Sequence, residues 1–137
     1  MPDAAARHGR YGDRMLRDGP IPRTIHGMIE YAAGVLFIAA PFLFGYDDGY
    51  AVGISIAVGV LILVMAAATV GPTGLIHSIP VTVHAAVDYA LAVFLIASPF
   101  IFRFNDEGAP TAFFIVLGVV HLLVTIGTKF KEPTSTT

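Results

Sequence analysis

The sequence contains no cysteine among its 137 residues. Disulfides, thiolate metal sites and cysteine nucleophiles are excluded together. Tryptophan is also missing, and charge is scarce. Charged residues make up 13% of the chain, against about 25% in a typical soluble domain. Apolar residues reach 55%, and mean hydropathy is +0.75. Too little polar surface remains to face water, which excludes an ordinary soluble domain. The first twenty residues mix Arg, Asp, Gly and Ala. They lack the apolar core and small-residue cleavage site of a secretory signal, so the first membrane helix is expected to act as its own insertion signal. No nucleophile–base pair, phosphate loop or cofactor fingerprint is visible. A non-enzymatic protein is expected, with the lipid bilayer as its medium and no nucleic acid among its partners.

Four apolar runs are present: Thr24–Tyr46, Ala51–Val70, Pro80–Phe104 and Ala109–Thr128. Each is close to the roughly 20 residues that cross ~30 Å of hydrocarbon. The second and fourth contain no charged residue; the first and third carry one acid each, Glu30 and Asp88. Polar turns at 46–50 and 105–108 and a breaker cluster from Gly71 join them. Such short links make successive helices antiparallel neighbours. The expected fold is an all-α, four-transmembrane-helix bundle.

Seven of the eight Lys and Arg residues precede the first apolar run or follow the last; Arg103 alone lies on the side of the two acidic turns. By the bias of positive charge toward the cytoplasm, both termini are expected there, with the protein multi-pass in the cell (inner) membrane. The segments read as 1–20, basic and cytoplasmic; 21–70, a first hairpin; 71–78, a link; 79–129, a second hairpin; and 130–137, a tail. Tyr11, Met15 and Leu16 among the N-terminal arginines offer a small apolar face. They suit a topology signal touching anionic lipid, or else a docking arm.

Shifted by 58 residues, the chain matches itself. Ile21-Pro22-Arg23-Thr24-Ile25-His26 lies over Ile79-Pro80-Val81-Thr82-Val83-His84, and Glu30-Tyr31-Ala32 over Asp88-Tyr89-Ala90. Of the 24 positions from Ile21 to Phe44, 12 are identical. One extra loop residue then brings Gly59 onto Gly118 and Thr69 onto Thr128. Each copy has two spans, so both enter from the same side. The hairpins are therefore expected to be related by a pseudo-two-fold axis along the membrane normal.

Late in the first span of each copy stand Ala40-Pro41-Phe42 and Ser98-Pro99-Phe100. With the opening His-x-x-x-acid-Tyr, these motifs resemble the SPW-repeat membrane proteins, named for Ser-Pro-Trp at this place. Phe replaces Trp in both copies, and Ala replaces Ser in the first. The resemblance covers Ile21 to Thr128. It implies the membrane and the fold class, and no reaction. Pro41 and Pro99 each free a carbonyl four residues back and are expected to shape an aromatic-packed helix end.

His26 with Glu30, and His84 with Asp88, share a face at i,i+4 spacing. The acids lie about 9 Å from the helix entrance and His121 about 10 Å from the end of the fourth span. Five ionisable groups are thus expected in one layer. Intramembrane ionisable residues face the bundle interior and pair with something. In the first reading the acids accept hydrogen bonds from the histidines, Tyr31 or Tyr89, and act as polar glue without a cofactor. In the second, His26, Glu30, His84 and Asp88 hold a divalent metal, or the two histidines hold haem with Arg23 near a propionate; without cysteine the ligands are only nitrogen and oxygen. In the third, the acids and His121 form a proton or ion pathway in an oligomer. Small residues (Ala32, Ala33, Gly34, Ala39, Ala40, Gly53, Gly59, Gly118) suit close helix contact. The first choice is a structural or accessory component of a membrane assembly or homo-oligomer.

Overall fold

In the computed structural model, residues 19–130 are described, and the basic segment with Tyr11, Met15 and Leu16 lies outside them. Four helices follow one another: α1 Arg23–Leu43, α2 Gly49–Ala68, α3 Val81–Ile101 and α4 Gly108–Gly127. They are 21, 20, 21 and 20 residues long, with mean hydropathies of 1.4, 2.6, 1.7 and 2.2. At 1.5 Å per residue each reaches about 30 Å, the thickness of the hydrocarbon layer. The chain is an all-α, four-helix membrane bundle. α1 packs along α2 and α3 along α4, while the two hairpins meet more sparingly.

Helix ends explain why the apolar runs overshoot the helices. Pro41 and Pro99 lie inside α1 and α3, and each helix continues for two more residues. The backbone then turns through Gly45 (φ 62°) and Arg103 (φ 60°), equivalent positions of the two copies. Left-handed backbone suits Gly and costs other residues about 1–2 kcal/mol. The turn is closed by Tyr46 N–H on the Pro41 carbonyl and Phe104 N–H on the Pro99 carbonyl, both 3.0 Å. This is the 6→1 bond of a helix C-terminal motif. Apolar residues up to Tyr46 and Phe104 therefore belong to the turn, not the span. They fold back and are buried, whereas Phe42 and Phe100 are exposed toward the bilayer. The aromatic residues after the prolines are thus divided: Phe42, Phe44 and Phe100 face outward, Phe102 is half-buried, and Tyr46 and Phe104 are in the core.

Pro41 leaves the Phe37 carbonyl without its helical donor. Ser55 Oγ, on α2, donates to it at 2.6 Å. Phe114 stands at the corresponding place in the second copy, and it is fully buried. Close approach of α1 and α2 depends on glycine: a Cβ on Gly59 would lie 2.6 Å from the Gly34 carbonyl and 2.9 Å from Ile38 N. Gly118 is similarly pressed on Ile96. Gly53 faces open space and Ala32 is exposed, so neither serves the helix contacts.

The repeats contact each other reciprocally. Ile21 N–H donates to Gly127 O (2.9 Å), and Lys129 N–H to Ile21 O (2.8 Å). Correspondingly, Ile79 N–H donates to Ala68 O (2.8 Å) and Val70 N–H to Ile79 O (3.0 Å). A contact from one copy to the other that recurs with roles exchanged is the mark of a two-fold relation. These strips and the link form the terminal face of the bundle. At the opposite, turn face, Glu107 accepts from Asp47 N–H (2.7 Å) and Asp48 N–H (3.0 Å), stapling the two turns together. Between the faces lies an apolar core around Phe37, Ile62, Leu91, Leu95 and Phe114.

Candidate functional site

Between this core and the terminal face lies a layer of buried polar side chains. One turn inside α1, His26 and Glu30 share the inward stripe; one turn inside α3, His84 and Asp88 do the same. All four are 4% exposed or less. Their contacts run both along and across the repeats. Within a helix, His26 Nε2 lies 3.4 Å from Glu30 Oε1, and His84 Nε2 lies 3.3 Å from Asp88 Oδ2. Across the repeats, His26 Nε2 lies 3.2 Å from Asp88 Oδ2, and His84 Nε2 lies 2.8 Å from Glu30 Oε1. One donor atom from each residue converges, all within 4.8 Å of one another.

Two threonines fix the orientation of the rings. Thr69, at the end of α2, donates its hydroxyl proton to Met65 O (2.6 Å) and meets His84 Nδ1 at 2.6 Å. Thr128, at the end of α4, donates to Val124 O (2.5 Å) and meets His26 Nδ1 at 2.7 Å. A hydroxyl has one proton. With that proton on the helix carbonyl, each Thr Oγ1 accepts, and each His Nδ1 carries the donating hydrogen. Each ring thereby presents Nε2 to the carboxylates, and His84 Nε2 hydrogen-bonds with Glu30 Oε1 at 2.8 Å. Each threonine–histidine bond joins the second helix of one repeat to the first helix of the other.

His121 approaches from α4, with Nε2 at 3.6 Å from Asp88 Oδ1. Its counterpart Ile62 is apolar and buried, so the layer is asymmetric. The structure thus brings together His26, Glu30, His84, Asp88 and His121. It does not bring in the two tyrosines. Tyr31 donates to the Thr73 carbonyl at 2.9 Å, and Tyr89 is 43% exposed. Ser98, Pro41 and Pro99 are buried far along the helices and form no part of the layer.

Arg23 sits at the terminal face and donates to the Val70 carbonyl. It lines, with Gly71, Thr73 and Phe130, a small cavity of about 30 Å³ that reaches His26, Glu30 and His84. A second cavity of about 40 Å³ touches His26, Glu30 and His121 from the α4 side. Either has room for about one water molecule. The orienting threonines are the residues that motif reading missed. Their signal was the alignment itself: a hydroxyl recurring at the close of both copies in otherwise apolar helices.

The model of the SPW repeat domain matches residues 24–128. No curated protein matches the chain, and no solved structure does. The matched stretch takes in both hairpins and every residue of the buried layer, and the chain belongs to the SPW repeat family.

Proposed function

We infer that the chain is a non-enzymatic component of the cell (inner) membrane, with both termini in the cytoplasm, acting in a structural or accessory role. The observation that carries this reading is the crossed hydrogen bonding of Thr69 with His84 and Thr128 with His26. Together with the 2.8 Å hydrogen bond between His84 Nε2 and Glu30, it joins one hairpin to the other. The layer works as a clasp, and the duplicated hairpin becomes one rigid unit. Cavities of one-water size beside it suit no organic substrate, and a haem pocket needs several hundred Å³. The outer half supports no proton path either. Ser55, Ser98 and Thr111 all place their hydroxyl protons on backbone carbonyls. A rigid, lipid-facing unit with a basic cytoplasmic arm fits an accessory subunit, or a homo-oligomer, better than a catalyst.

The absence of cysteine makes the orientation directly testable. Single cysteines at Ser78, in the link, and Asn105, in a turn, are labelled with a membrane-impermeant thiol reagent. On intact cells the reading expects Asn105→Cys to label and Ser78→Cys to stay silent, with the pattern reversed in inverted vesicles. The opposite pattern overturns the orientation. The accessory role expects the mildly solubilised protein to run with a stoichiometric partner or second copy. A bare monomer under those conditions contradicts it.

A further inference from the structure

The buried quartet has a property that a clasp alone does not require. His26 Nε2 and Asp88 Oδ2 have no hydrogen-bond partner, although their residues are 4% and 2% exposed. Because Nδ1 of each ring is engaged by a threonine hydroxyl, Nε2 is the atom that each ring presents to the two carboxylates. Buried polar groups left without a partner are costly. A cation at the centre of the four atoms supplies the missing partners.

We propose that His26, Glu30, His84 and Asp88 form a four-ligand site for one divalent transition-metal ion of the zinc class. The inference deepens the clasp reading, because it names what closes the clasp. Geometry supports it first. A tetrahedral ion with bonds of about 2.0–2.1 Å has donor–donor edges of roughly 3.3–3.4 Å. The N···O separations are 3.2, 3.3 and 3.4 Å, with the fourth at 2.8 Å. Of these four edges only the His84–Glu30 one has to open, by about half an ångström on the same tetrahedral geometry, and all four atoms lie within 4.8 Å of one another.

Orientation supports it next. Metal-bound histidines characteristically donate the other ring N–H to an oxygen, which fixes tautomer and ring plane. Thr69 and Thr128 provide that oxygen, once in each repeat. His121 Nε2 lies 3.6 Å from Asp88 Oδ1, the carboxylate oxygen outside the quartet. Charge agrees too: two carboxylates and two neutral imidazoles are balanced by one divalent ion.

The donor set selects the class. Two imidazoles favour zinc, cobalt or iron over calcium or magnesium, and without a thiolate or thioether there is no preference for copper(I). Four protein ligands with no open position describe a closed, structural site. The one-water cavity past Arg23 and Gly71 gives the ion a route from the terminal face.

The test uses full-length protein purified in mild detergent without chelator. Elemental analysis is followed by chelator treatment, dialysis and titration with Co2+. A zinc-class ion near one per chain, and intense visible bands of tetrahedral cobalt saturating at one per chain, are the expected results. A metal-free preparation that leaves cobalt with its hexa-aqua spectrum overturns the site, as does loading with calcium or magnesium alone. Neither readout depends on a variant that folds. Among variants, Thr69→Val with Thr128→Val should weaken cobalt binding about 10–100-fold, while exposed His77→Ala leaves it unchanged. Cobalt bands that survive His26→Ala with His84→Ala overturn the ligand assignment. The clasp reading fails separately: a chelated protein whose hairpins hold as tightly in the quartet variants as in the parent contradicts the clasp and leaves the metal result standing.

Discussion

At the scale of single residues, the chain's less obvious polar groups matter as much as its charged ones. Ser55 is the donor for the carbonyl that Pro41 leaves free. Replacing it with Ala strands a fully buried acceptor, a loss of about 1–3 kcal/mol. Reversible unfolding of Ser55→Ala in detergent should show a drop of that size, and an unchanged midpoint would contradict the assignment. Tyr46 gives a second test at this scale. It lies in the turn outside the spans, its hydroxyl is buried without a partner, and burial, then the nearby Glu107 carboxylate, push its pKa above the usual tyrosine value of 10.0. The folded pKa lies above the unfolded one, so this contribution is full below about pH 10 and is lost as pH rises further. In Tyr46→Phe the decline of stability above pH 10 should be shallower than in the parent, measured by alkaline titration of the unfolding midpoint. Equal slopes would show that Tyr46 plays no part.

Elements were the most legible level in the sequence, and their ends the least. Four spans followed from apolar length alone. Their limits did not, because Tyr46 and Phe104 are as apolar in a turn as in a helix. What distinguishes them is the left-handed residue before each, and Arg103 at that position carries no sequence signal. Glycine's role was legible in kind but not in place. Gly59 meets the Gly34 carbonyl and Ile38 N at distances no side chain tolerates, while Gly53 has open space. Gly59→Val should therefore force α2 off α1, with loss of folded protein in detergent or a fall of about 1–3 kcal/mol or more from overpacking. Gly53→Val should cost little. Comparable stability of the two variants would contradict the tight α1–α2 seam.

For the whole molecule, the repeat foretold more than composition did. His26, Glu30, His84 and Asp88 stood out because ionisable residues recurred in register inside apolar spans. Their convergence into one quartet depends on how two helices from different hairpins face each other, which no local spacing states. For the same reason Tyr31 and Tyr89 looked equivalent, yet one bonds the link and the other faces outward. Thr69 and Thr128 were visible as aligned positions, and their role emerged only from the crossed geometry. A single layer, built twice from the same motif and joined by exchanged hydrogen bonds, gathers the His, Glu and Asp side chains of the four helices.

The central claim is that this layer joins the two hairpins, and a double-mutant cycle between Glu30→Gln and His84→Ala addresses it most directly. The pair spans the repeats at 2.8 Å. Unfolding free energies of the parent, both single variants and the double variant give the coupling. Groups in one buried network are expected to couple by about 0.5–3 kcal/mol, so the account predicts a value in that range, with the double variant less affected than the sum. Strict additivity of the two changes would contradict the clasp.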